Sequence, residues 1–190
     1  MNPVSKSDIP LVMDTLPALK TCRYFGEMPG GNIYSFARFY VFKKQLSVSL
    51  CVFERTPPPE SRISFAIGGG AAQYLLVTLS PKNTQPAAAR LCPEAGFGPF
   101  PPPAGSTRAA PPEAQYFAGE DEQGWYWGAN LLLEETLLRQ AGCPLMLGSQ
   151  FYAAVFKHFE GSPAFGSSAP AVSNQSPLLL RRTTFEVVGY

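Results

Sequence analysis

Residues 46–53 constrain the fold more than any other stretch of this chain. Leu46, Val48, Leu50 and Val52 alternate with Ser47, Ser49, Cys51 and Phe53. Successive side chains on a strand point to opposite faces, so strict period two over eight residues predicts a strand with one face buried. Upstream, Ile33 to Phe42 is rich in aromatic and β-branched residues, which suit a pleated surface. Lys43-Lys44 between the two runs reads as their turn. Downstream, Thr56-Pro57-Pro58-Pro59-Glu60-Ser61 must end the strand, because proline cannot donate to a ladder.

The rest of the chain repeats this grammar. Strand character is expected near Thr21–Phe25, at Arg62–Ile67 and Gln73–Leu79 on either side of Gly68-Gly69-Gly70, near Arg90-Leu91-Cys92, and at Ala114–Gly119. An acidic turn, Glu120-Asp121-Glu122-Gln123-Gly124, leads into Gly124–Leu133, read as the return strand of a hairpin. It holds both tryptophans, Trp125 and Trp127. Leu131–Gln140 has helical character, with Glu134, Glu135 and Arg139 in reach of each other around i,i+4 spacing, Gly142 as a stop and Pro144 beyond it. Gln150–Phe159 alternates again, placing Phe151, Ala153 and Val155 on one face and Tyr152, Ala154, Phe156 and His158 on the other. A loop from Gly161 through Pro177 precedes a last strand at Thr183–Val188. Residues 1–20, interrupted by prolines, are expected to form an arm. Residues 81–112 hold nine prolines and read as a long, weakly structured excursion.

Proline and glycine together make 37 of 190 residues (20 and 17). That load suits short strands joined by turns and long loops, and it suits long helices poorly. The expected architecture is all-β: a single antiparallel β-sandwich over residues 1–190, with jelly-roll or immunoglobulin-like layering and one short helix.

Charge and cysteine content narrow the function classes. Fifteen basic residues stand against fourteen acidic ones, which leaves no basic excess to hold nucleic acid or an anionic membrane. Arg38-Phe39-Tyr40 and Phe42-Lys43-Lys44 interleave cations with rings, but a solvated edge strand accounts for them. Cys22, Cys51, Cys92 and Cys143 are widely spaced without a C-x-x-C pair, so a structural zinc site is not expected. Buried free thiols are favoured over two disulfides. No secretory signal and no apolar run near 18 residues is visible. The expected location is cytoplasmic, or secreted if a leader has been removed.

No catalytic signature is present. Gly68-Gly69-Gly70 lacks the following Gly-Lys-Ser/Thr of a phosphate loop. His158 is the sole histidine, so any Ser-His or Cys-His hydrolase must use it; a half-buried structural histidine is the competing reading, and a polar ligand contact a third. Glu120, Asp121 and Glu122 are consecutive in a turn and point in different directions. That makes them poor facing carboxylates for glycoside cleavage. A solvated turn is the plain reading, and calcium binding with loop carbonyls the alternative. No other cofactor is expected. Aromatic residues are 13% of the chain. Exposed rings could stack on the C–H faces of sugars while scattered polar groups take the hydroxyls. The competing reading of Trp127 is core.

Four segments within residues 30–190 resemble the family nine-like carbohydrate-binding modules, part of the broader DOMON-like β-sandwiches. Arg38–Glu54 is similar to the family's "L-x-V-x-L-x-V" strand after a polar turn. Trp127-Gly128-Ala129-Asn130-Leu131-Leu132-Leu133 resembles its "W-x-A-E-x-x-I-P", Gln150-Phe151-Tyr152 its "N-F-Y-K", and Thr184–Val188 its closing "F-G-x-L-x-L". Asn130, Glu134, Ala153 and Glu186 depart from those patterns. The resemblance implies a non-catalytic β-sandwich that binds a neutral sugar or a polysaccharide end. It also implies a structural role for Trp127. The family's clamp of two opposed tryptophans cannot be carried over, because Trp125 and Trp127 lie two apart on one strand and share a face. The expected ligand contacts are stacking by Trp125, Tyr126 or Trp127 and polar contacts from Arg38, Arg55 and His158. The rival readings are a structural or interaction domain of the same fold and a small hydrolase built on His158.

Overall fold

The computed structural model describes residues 1–70, 72–81, 87–94, 102–169, 171–173, 176–180 and 183–189. Its strands are β1 (Asn2–Ser7), β2 (Leu19–Lys20), β3 (Arg23–Phe25), β4 (Ser35–Phe42), β5 (Gln45–Phe53), β6 (Ser61–Gly68), β7 (Gln73–Leu79), β8 (Ala88–Pro93), β9 (Thr107–Ala109), β10 (Glu113–Asp121) and β11 (Gly124–Leu133). A short helix, α1 (Glu135–Gln140), follows, then β12 (Gln150–Phe159), β13 (Phe165–Ser167), β14 (Ala171–Ser173), β15 (Ser176–Leu180) and β16 (Thr183–Gly189).

The hairpin β4–β5 forms as its sequence dictates. Phe42 pairs with Gln45, which leaves Lys43-Lys44 as a two-residue turn, and Lys43 takes a φ of 54° because such turns need left-handed backbone. Leu46, Val48, Leu50 and Val52 are fully buried.

Most of the strands form one sheet in the order β10-β11-β5-β4-β1-β16-β12-β6-β7-β8-β9. In a flat sheet β4 and β6 would stand four strand spacings apart, about 19 Å. Yet the rings of Phe39 on β4 and Phe65 on β6 lie 5.5 Å apart. The sheet therefore folds over on itself into a sandwich, and Phe39, Phe65, Phe151, Phe185 and Trp127 share the core between its layers. The two faces of β12 behave as their alternation requires: Phe151, Ala153 and Val155 enter this core, while Tyr152, Ala154 and Phe156 join a second cluster with Phe165 on the outer side.

Three expectations need correction. The sandwich is mixed rather than purely antiparallel, because β1 runs parallel to both β16 and β4. The N-terminal stretch is not simply an arm: residues 2–7 lie between β16 and β4, with Val4 buried. The helix begins later than expected, at Glu135, because Leu131, Leu132 and Leu133 remain paired with Val48, Ser47 and Leu46.

The Gly68-Gly69-Gly70 segment is tighter than a plain turn. A Cβ on Gly69 would stand 1.7 Å from the carbonyl oxygen of Gly142, and the Gly69 amide donates to Ala141, so the glycine lets β6 close against the end of α1. The proline-rich excursion holds β8 and β9; its residues 82–86 and 95–101 lie outside the described residues. Among the described residues no helix is long and apolar enough to cross a membrane.

Candidate functional site

The outward face of β10, β11, β5 and β4 carries the alternate residues of each strand. Register sorts them into three rows. Gly119, Tyr126 and Phe53 lie side by side, continued by Tyr34, whose carbonyl accepts from the Phe53 amide. The next row is Phe117, Gly128, Cys51 and Phe36, and the third is Gln115, Asn130, Ser49 and Arg38. Small residues in the middle and rings around them make a trough.

Two glycines let those rings lie low. A Cβ on Gly119 would stand 2.6 Å from the Tyr126 hydroxyl oxygen, and one on Gly128 would stand 2.8 Å from the Phe117 ring and 1.9 Å from the Leu50 carbonyl oxygen. Phe36, Tyr34, Phe53, Tyr126 and Phe117 then form a run of neighbouring rings. Their centroids are 5.9 Å apart for Tyr34–Phe36, 5.6 Å for Tyr34–Phe53, 5.8 Å for Phe53–Tyr126 and 6.2 Å for Phe117–Tyr126.

The trough encloses a cavity of about 540 Å³, inside the range of roughly 300–1,000 Å³ typical of small-molecule sites. Asp14, Lys20, Arg38 and Asp121 also line it, so its formal charges cancel. Arg38 lies over the Phe36 ring at 4.8 Å and donates from Nη1 to Asp14. Its Nε is buried and has no acceptor among the described residues. Cys51 forms part of the floor, and burial, reinforced by the Asp121 charge, pushes its thiol up to about 12. It is therefore a neutral surface at ordinary pH.

The expected site residues separate. Arg38 and Tyr126 meet in this trough. Arg55 and Trp125 share an adjoining groove of about 410 Å³ with Phe53, Glu54, Glu120 and Gln123, and Trp125 is 44% exposed. Trp127 lies in the core as the resemblance implied, with its indole N–H donating to Glu54 Oε2 at 3.2 Å. His158 is elsewhere, on β12. It is 2% exposed, its Nε2 is 2.8 Å from the Ser64 hydroxyl, and Ser64 is fully buried. Burial, then the nearby Lys157 and Arg62 charges, lower its pKa to about 3. The expected ligand contact from His158 is therefore corrected: the ring cannot reach the trough. The serine hydroxyl beside it is buried as well, among the described residues.

The acidic turn also divides. Asp121 lines the trough while Glu120 lines the Trp125 groove, and the Asp121 carboxylate accepts from the Gln123 amide at 2.8 Å. Among the described residues no three metal-capable side chains converge. The four cysteines are free thiols; Cys51, Cys92 and Cys143 are buried as expected, but Cys22 is exposed.

The architecture has counterparts among solved structures. The chain is similar to a candidate carbohydrate-binding protein from Bacteroides uniformis, with a TM-score of 0.63 at 10% identity over 92% of this chain and 87% of that one. It is also similar to a family 9 carbohydrate-binding module from Caldicellulosiruptor kristjanssonii solved with glucose, with a TM-score of 0.56 at 10% identity over 100% of this chain and 97% of that one. The fold is that of the family 9 carbohydrate-binding modules. No protein-family model and no curated protein matches the sequence, so the likeness to a family 9 module is one of fold. Sequence reasoning missed Phe36, Phe53, Phe117 and Tyr34 as site residues. The available signal was the phase of the strands: each ring is in step with Ser49 and Cys51 rather than with the buried leucines and valines.

Proposed function

We propose that the protein is a non-catalytic sugar-binding module whose trough takes a neutral sugar. The observation that carries this is the five-ring trough with cancelling charges. A pyranose presents a flat face of C–H groups, which suits the rings of Phe53, Tyr126 and Tyr34. Its hydroxyls both donate and accept, which suits a rim holding Asp14 and Asp121 beside Lys20, Arg38 and Asn130. The fold shared with a module solved with glucose supports the same reading, as does the burial of His158 and Ser64 away from the trough.

Calorimetric titration against soluble neutral mono- and oligosaccharides tests it. At least one sugar binds, and Tyr126→Ala weakens that sugar about tenfold, the worth of one good aromatic contact, with the thermal midpoint checking that the fold persists. Absence of binding across the panel leaves the structural or interaction domain as the better account.

A further inference from the structure

The trough does not end at the sheet. Phe53 lines three concavities at once: the trough, the Trp125 groove, and a third of about 590 Å³ bounded by Asn32, Ile33, Tyr34 and Pro58. Gln123 is common to the trough and the Trp125 groove, and Arg55 is common to the second and third. From Ser49 to Phe53 the trough runs four strand residues, about 13 Å, and the grooves carry the path farther, past the end of β5. One pyranose ring fills only part of such a path.

Trp125 stands where that path leaves the sheet. It shares the parity of Trp127, but Trp127 is 4% exposed and Trp125 is 44% exposed. The core stops one pleat short, leaving a large indole in water beside an exposed arginine for which no ion pair is found among the described residues. An indole and a guanidinium lining one groove offer a second stacking surface and hydrogen-bond donors for a sugar unit.

We propose that the ligand is a linear oligosaccharide bound along its length, with a second sugar subsite at Trp125 and Arg55 beyond the one in the trough. This rests on the sugar-binding reading and adds to it a chain of at least two to three linked units crossing Phe53. Because the path runs on from the trough into the Trp125 groove across Phe53 and Gln123, a chain laid along it is held by its faces, and the proposal does not require a free reducing terminus.

Titration with neutral gluco-, manno- and xylo-oligosaccharides of one to six units, each also as its borohydride-reduced form, tests the proposal. For a sugar that binds, affinity rises about tenfold or more between one unit and three or four, reflecting one further aromatic contact. The reduced forms of the longer chains bind as well as the parent chains. In the Trp125→Ala protein the length dependence disappears, and longer chains bind no better than the single sugar; Arg55→Ala weakens it in the same direction. Affinity independent of length, or loss of all binding on reduction, overturns the extended site while leaving the sugar-binding reading intact. No binding of any member at any length overturns both.

Discussion

Replacing Lys157 by methionine probes the buried polar cluster beneath the Trp125 groove. Lys157 is fully buried on β12. Its ammonium donates to the Ser61 hydroxyl at 2.9 Å, lies 3.7 Å from Glu54 Oε2 and sits 3.8 Å from the centre of the Phe159 ring. Glu54 Oε2 also accepts from Ser61 at 2.7 Å and from Trp127. Burial lowers the Lys157 pKa from 10.5 to about 8, opposed by the Glu54 charge and assisted by Arg62. The unfolded chain holds that proton up to about 10.5, whereas the folded chain releases it from about 8. Between those values the unfolded state binds more protons, so the Lys157 contribution to stability rises with pH. At about 1.4 kcal/mol per unit, the span corresponds to about 3 kcal/mol. The methionine variant keeps the stem and removes the titration. Urea unfolding of both proteins at pH 7, 8, 9 and 10 measures the difference, in which the buried thiols and tyrosines cancel. The wild type gains on the variant by about 2.5 kcal/mol between pH 7 and pH 10, most of the full span, because pH 10 still lies just below the unfolded value. A difference that stays flat, or that moves the other way, refutes the account of Lys157 as a buried cation.

Three further outcomes follow from the same structure. Gly128→Ala places a Cβ 1.9 Å from a backbone oxygen of β5, so the strands must part; a loss of about 3 kcal/mol, the upper end for overpacking, should appear as a lower urea midpoint, and an unchanged midpoint would contradict the packing. The native protein should show one fast-reacting thiol, Cys22, with Cys51, Cys92 and Cys143 buried; thiol titration with and without denaturant counts them, and a second fast thiol would sink the assignment. The His158 ring should stay neutral down to about pH 3, followed by its proton NMR shifts. Because the unfolded ring protonates near 6.5 and the folded ring does not, stability on this account falls as pH drops from 6.5 toward 3; a ring titrating near 6.5 in the folded protein would contradict its burial.

The parts of the fold visible in the sequence are those whose signal is local. Gln73–Leu79 and Gln150–Phe159 are strands over those same residues, because alternation and β-branched content are properties of the segment itself. The strand Asn2–Ser7 was not legible, since Pro3, Ser5, Lys6 and Ser7 carry no β pattern and its partner Phe185–Gly189 lies at the other end of the chain. Leu131–Leu133 was ambiguous for a physical reason: a short apolar run fits a buried strand or a helix equally well, and pairing with Val48, Ser47 and Leu46 decides it. The candidate site was half legible. Arg38 and Tyr126 could be picked out as types, but the trough exists only through register across four strands, which no single strand encodes. The tryptophans drew attention by their size, yet one fills the core and the other marks the rim.

The most direct test of the sugar-binding account is a crystal structure of the protein with a bound sugar from the titration panel. The account predicts a pyranose face lying against Phe53 and Tyr126, with hydroxyl oxygens within hydrogen-bond reach of Arg38 and Asp121. A sugar seated outside the trough, with those rings uncovered, would contradict it.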